Sequence, residues 1–198
     1  MRNETSADFD EKRGAILRAA VEIFSRFGFK KATLEEIAKR AGLAKPSIYH
    51  YFQSKEELAS AVVSYESRAL LSMMRSAIEG ADSAEEKIKA FVRARYEYLQ
   101  AKKNLLTVTQ DVFHEVWPLV VEERDRYFEA ELGLLTEIMK EGIEAGELEI
   151  EDQELFSVVA ISALQGLDRT FWRYRRSEDI AEGIQLMLGV FLSGLRSS

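Results

Sequence analysis

The chain has no cysteine, only two prolines (Pro46 and Pro118) and only two histidines (His50 and His114) in 198 residues. Without thiols there is no disulfide framework and no thiolate metal site. A histidine-based centre would have to rest on carboxylates alone, and the two histidines fall in different parts of the chain. The patterns G-x-S-x-G, Walker A and G-x-G-x-x-G are missing too, which leaves acyl-transfer and nucleotide chemistry no foothold. Scarce proline suits a mostly helical chain. No stretch approaches the roughly 18 uncharged apolar residues of a membrane helix. The opening MRNETSADFDEKR lacks the apolar region of a signal peptide. The expectation is a cytoplasmic protein, not an enzyme, with no cofactor, no metal and no membrane partner. At 46% apolar it can bury a sizeable core in one or two domains.

The net charge of −7 speaks against nucleic acid until it is mapped. Residues 1–55 carry 11 Lys/Arg against 7 Asp/Glu, whereas residues 56–198 carry 16 against 27. Local basicity is the electrostatic footprint of DNA binding. An acidic remainder would keep DNA off the rest of the surface.

Within the basic part lies TLEEIAKRAGLAKPSIYHYFQSK, Thr33 to Lys55. Leu34, Ile37, Ala38 and Ala41 fall at helical spacing, Gly42 breaks the pattern, and Ile48 and Phe52 lie four apart on a second short helix. Two short helices around a glycine turn make a helix-turn-helix, whose second helix enters the DNA major groove. Thr33 with Glu36 fits a capping box, and Ser54 with Glu57 repeats it. Upstream, Leu17, Ala20, Val21, Phe24 and Phe27 form one apolar stripe. This predicts a first helix over 10–27 that stops at Gly28, after a frayed segment 1–9, and completes a three-helix domain with the pair.

The motifs Thr33–Ala38, Ala41–Leu43, Ser47–Phe52 and Ser54–Leu58 resemble the N-terminal domain of the TetR family of bacterial transcriptional regulators. The likeness covers about residues 10 to 60; beyond it only length and helical character match. It departs at Ala44, where family members often carry a Ser or Thr that caps the recognition helix and touches a phosphate. Alanine cannot cap, which typically costs about 1 kcal/mol. Pro46, tolerated in a first helical turn, partly offsets this. The departure puts the operator sequence in question rather than DNA binding.

Position by position, the resemblance implies DNA contacts at Thr33, Lys45, Pro46, Ser47, Tyr49, His50, Tyr51 and Lys55. Their chemistry agrees. Lys45 can reach a guanine edge or a phosphate. Ser47 offers a small hydroxyl to either, and His50 suits both. Tyr49 and Tyr51 can donate to phosphates, although each could instead pack the small domain. Lys55 and Thr33 sit at helix starts, where phosphate is favoured. Ile48 and Phe52 belong to the core.

The remaining chain is expected to be an all-α bundle. Predicted helices cover Ser54–Glu79, Ala84–Lys102 behind a capping box at Ser83 and Glu86, Asn104–Val116, Leu119–Ala145 ending at Gly146, a helix capped by Asp152 through Tyr174, and Glu178–Leu195. The domains are thus 10–54 for DNA and 55–198 for effector binding and dimerisation. The last two helices carry repeated small residues, among them Ala163, Gly166, Gly183, Gly189 and Gly194, and the final one is apolar on more than one face. Glycine in a helix costs about 0.5–1 kcal/mol relative to alanine, so its repetition predicts close helix approach. The alternatives are burial within one subunit and a homodimer interface around Ala163, Gly166, Ile184, Met187 and Phe191. The family resemblance implies the dimer, through a four-helix interface.

The middle of the body is rich in aromatics, including Tyr98, Phe113, Trp117, Phe128 and Trp172, punctuated by Arg95, Gln110, His114, Gln165 and Arg169. Aromatics at helical spacing are usually core; they also suit an apolar pocket with a few polar anchors. Leu105–Asp111 is similar to TetR-like regulators of fatty-acid metabolism, which respond to fatty acyl-CoA thioesters. That likeness implies an acyl chain among the aromatics and basic residues such as Arg93, Arg95, Lys102 or Lys103 at the mouth. Two function classes fit: a repressor released from a near-palindromic operator by a small hydrophobic effector, or an architectural or constitutive DNA-binding protein without one.

Overall fold

The computed structural model describes residues 6–101, 125–173 and 177–195. Every regular element among them is a helix: α1 Ser6–Lys31, α2 Leu34–Arg40, α3 Lys45–Tyr51, α4 Lys55–Glu79, α5 Ala84–Ala101, α6 over 125–144, α7 Gln153–Arg173 and α8 Ser177–Leu195. The chain packs as two compact units that divide between Arg68 and Ala69, within α4. The predicted helix at Asn104–Val116, the start of the one predicted from Leu119, and the Leu105–Asp111 segment lie outside the described residues.

In the first unit α1, α2, α3 and the start of α4 surround one core. Ile16, Ala20, Phe24, Ile37, Ile48, Phe52 and Leu58 are almost wholly withdrawn from water. Each such Ile, Leu or Phe contributes roughly 1.5–3 kcal/mol of transfer free energy. Two expectations for α1 need correcting. It starts at Ser6 instead of Asp10, and its first turns are held because Phe9 packs against Tyr51 (ring centroids 4.8 Å). It also resumes after Gly28, a kink with φ 79° that glycine takes without steric cost. The Ala32 N–H donates back to the Gly28 carbonyl (3.0 Å) and closes that short turn.

The second unit holds the rest of α4 with α5, α6, α7 and α8 around Leu70, Met74, Ile88, Phe91, Leu135, Ile138, Met139 and Ile161. α4 supplies Leu58, Ala59 and Val62 to the first core and Leu70 and Met74 to the second. After α6 the chain turns at Gly146 (φ 72°), where the Glu147 N–H donates to the Gly142 carbonyl (2.8 Å) and the Gly146 N–H to that of Ile143 (3.0 Å). This is a Schellman ending, which uses a glycine for the left-handed residue. Glu147 then accepts the Ala84 N–H at the start of α5 (2.7 Å). At Gly142 the end of α6 comes close to the start of α5: a Cβ there would sit 2.6 Å from Ala84 Cβ and from Leu148 Cδ1. Among the described residues, the close approach expected at Gly166, Gly183, Gly189 and Gly194 is not made: nothing lies within 4 Å of a Cβ at any of them. No helix among the described residues is long and apolar enough to cross a membrane.

Candidate nucleic-acid interface

The helix pair is built by its caps. At the start of α2, Thr33 Oγ1 accepts the Glu36 N–H (3.2 Å), while Glu36 Oε2 accepts the Thr33 N–H (3.0 Å) and hydroxyl (2.8 Å). At its end, Gly42 takes φ 72°, the Leu43 N–H donates to the Ala38 carbonyl (2.9 Å) and the Gly42 N–H to that of Lys39 (3.2 Å). This second Schellman turn reverses the chain into α3. Ala44 is the N-cap of α3 and gives it no side-chain bond; Pro46 stands in its first turn. At α4, Ser54 Oγ accepts the Glu57 N–H (3.0 Å), and the Glu57 carboxylate accepts the Gln53 N–H (2.6 Å), one residue ahead of the usual box partner. Arg40 at the end of α2 donates to Glu22 of α1 (2.7 Å), and that bond holds the exposed Glu22 carboxyl below its ordinary value.

This scaffold gives α3 two faces. Ile48 is fully buried, with Phe52 just beyond the helix end. On the other side Lys45, Pro46 and His50 are exposed, and Tyr49 presents 51% of its surface although its ring is large and apolar. An exposed tyrosine between a lysine and a histidine on a helix that follows a tight turn is the geometry that offers side chains to a groove. Ser47 is half-buried at the edge of this face.

The other expected contacts, and His50 with them, have partners within the unit, His50 meeting the rings of Phe9 (5.9 Å) and Tyr51 (5.2 Å) edge-to-face. Tyr51 is half-buried against the core, its ring tilted against that of Phe9. Thr33 remains exposed, but its hydroxyl both donates and accepts within the capping box. Lys55 is half-buried, with its ammonium 4.4 Å from the centroid of the Phe29 ring. Two residues that periodicity did not single out pack against the end of α3. Phe9 covers the end of α3, and the Arg13 guanidinium lies 5.1 Å from the Phe52 ring.

In the second unit, the structure brings two of the expected effector residues together. Arg95 Nε donates to Glu131 (2.7 Å), and Gln165 Nε2 donates to the other oxygen of that carboxylate (3.4 Å). Tyr127 donates to it as well (2.8 Å), and the side chains of Arg95 and Glu131 are almost wholly buried. Tyr127 is one of the body's aromatics, whereas Glu131 is not singled out by the sequence reading. The available signal was a carboxylate in helical register with Phe128, Leu135 and Ile138, an otherwise apolar stripe. Tyr98 and Phe128 are half-buried against the same core. Gln110, Phe113, His114, Trp117, Lys102 and Lys103 lie outside the described residues, as do the side chains of Arg169 and Trp172. In the same unit an apolar pocket of about 40 Å³ is lined by Phe91, Leu135, Met139, Phe156, Met187 and Phe191, among others. Between α5 and α8 runs an open groove of about 690 Å³ with Arg93, Lys89 and Tyr96 on its wall.

The expected dimer residues divide. Ala163 and Gly166 are exposed on α7. Ile184, Met187 and Phe191 instead pack against the chain's own core, with Phe191 edge-on to Phe156 (5.8 Å). The outward apolar face belongs to Leu186 (75% exposed) and Val190 (67%) on α8 and to Leu155 and Val159 on α7. Within the final helix, apolar composition on every side concealed which residues turn inward.

Two family models match the chain. Residues 16–62 match the family described as bacterial regulatory proteins, tetR family, and residues 66–162 match the C-terminal region of YsiA-like proteins. The HTH-type transcriptional activator FasR of Mycolicibacterium smegmatis is 37% identical over 46% of this chain; the match spans only 42% of FasR. The fatty acid metabolism regulator protein of Bacillus subtilis is 28% identical over 67% of this chain and 69% of its own length. Among solved structures, the fatty acid degradation regulator FadR from Bacillus halodurans superposes with a TM-score of 0.71 at 26% identity, covering 89% of this chain and 94% of that one.

Proposed function

The chain belongs to the TetR family of bacterial transcriptional regulators, and from that premise we propose that it is a ligand-responsive repressor. A cytoplasmic homodimer holds a near-palindromic operator through α3 and releases it when a small hydrophobic effector, of the fatty acyl-CoA class, occupies the body. The observation that carries the DNA reading is the split of α3 into a buried Ile48 side and an exposed side with Lys45, Pro46, Tyr49 and His50. Local charge supports it, since the first 55 residues carry the basic excess. Lys55 and Thr33 complete the phosphate contacts at the starts of α4 and α2.

The effector class draws on the names of two relatives, a fatty acid metabolism regulator and a fatty acid degradation regulator. Within this chain it draws on an apolar core that contains one buried polar cluster, Arg95–Glu131–Gln165. Such a cluster offers the few placed polar groups that orient a ligand in an apolar site. The remaining anchors are Gln110, Phe113, His114, Trp117, Arg169 and Trp172. α4, which has residues in both cores, is the route by which occupancy reaches α3. By linkage, operator and effector weaken each other by the same factor.

The test is a fluorescence-anisotropy titration of a duplex selected by the protein from random DNA, with long-chain acyl-CoA added to the complex. Release by acyl-CoA, and not by free CoA or a fatty acid, is the expected result. Binding that no acyl-CoA alters would leave a DNA-binding regulator without this effector. A duplex bound as tightly after Tyr49→Ala and Lys55→Ala would overturn the site itself.

A further inference from the structure

The opening turns of α1 lie ahead of residue 16, where the match to the family's DNA-binding region begins. They nevertheless reach the helix that faces DNA. The Phe9 ring stands 4.8 Å from that of Tyr51 and 5.9 Å from that of His50, meeting the latter edge-to-face at 76°. His50 and Tyr51 themselves meet edge-to-face at 5.2 Å. Three rings therefore tie the start of α1 to the last turn of α3. Edge-to-face pairs, which two of these contacts are, are favourable beyond the area they bury.

α3 needs such a tie. It has seven residues and no side-chain N-cap, and a helix this short does not hold itself in water. Ile48 and Phe52 fix its inner side. Exposed side chains have the freedom of several rotamers, and each rotamer of His50 presents its nitrogens differently. A ring packed against its face or edge removes that freedom before DNA arrives, and preorganised groups bind with less entropy to lose.

We propose that Phe9 is a positioning residue for operator recognition: its ring sets the orientation in which His50 and Tyr51 meet DNA, and so helps determine which bases are preferred. The proposal rests on the reading that His50 and Tyr51 touch DNA, and the experiment separates the two. The probe is the duplex recovered by the full-length protein from a random-sequence library. His50→Ala and Tyr51→Ala are measured first; if neither weakens binding nor changes base preference, the reading fails and the proposal with it. With that reading intact, Phe9→Ala is expected to weaken binding about three- to tenfold and to broaden base preference in a repeated selection. Phe9→Tyr, which keeps the ring, should restore both. In a His50→Ala/Tyr51→Ala background, Phe9→Ala should add nothing. Unchanged affinity and preference in Phe9→Ala would overturn the proposal. So would a loss of equal size in both backgrounds, which would mean that Phe9 acts through the fold or through a contact of its own. If Phe9→Ala melts the unit, Phe9→Leu keeps helix and bulk without the ring, and the same comparison decides.

Discussion

Gly142 shows what a single residue can fix. Its missing Cβ leaves room for Ala84 and Leu148, which would both lie 2.6 Å from such an atom. Gly142→Ala is therefore expected to destabilise the second unit by about 1–3 kcal/mol through overpacking, read as a fall in the denaturant midpoint at unchanged slope. A loss below about 0.5 kcal/mol would mean that the α5 start yields easily. The sequence drew attention to other glycines, because they cluster in the last two helices, while Gly142 stands among charged neighbours. What marks it is α5 docking against the end of α6, a contact between residues more than fifty positions apart. Pattern reading sees neighbours along the chain and misses such pairs. Glu131 is the converse case. Its place on an apolar stripe was legible, yet its partners Arg95 and Gln165 come from two other helices.

Elements were read more faithfully than contacts, because their ends are set by local chemistry. Thr33–Glu36, Ser54, Ser83 and Asp152 all cap as their spacing suggests, and Gly42 and Gly146 end helices in left-handed turns. α1 begins ahead of its apolar periodicity because Phe9 packs against Tyr51, a partner more than forty residues away. The weakest start is that of α3, where Ala44 takes the extended N-cap conformation (φ −78°, ψ 146°) without a side chain to use it. The backbone is already in place for a capping hydroxyl. Ala44→Ser is expected to stabilise the first unit by about 1 kcal/mol, seen as a raised melting temperature. No gain would show that α3 is held wholly by packing and that its cap is immaterial.

For the whole molecule, the outward apolar face of α7 and α8 is the feature that a lone chain leaves unexplained. Leu155, Val159, Leu186 and Val190 are large, apolar and more than half exposed, and the exposed glycines beside them give a second helix room to approach. The proposed dimerisation, through this face, would account for both. Leu186→Asp with Val190→Asp is expected to convert the dimer to monomer in sedimentation analysis and to lower operator affinity with it, since two half-sites are read together. A dimer that survives both charges would place the interface elsewhere. Recognition led by phosphates also requires affinity to fall steeply with salt. The most direct test of the account is selection of bound duplexes from a random library by the intact protein. The expected outcome is an enriched near-palindrome with half-sites about one helical turn apart, whose enrichment is lost with Tyr49→Ala and Lys55→Ala. No enrichment over the starting library, or an enriched site indifferent to those substitutions, would contradict it.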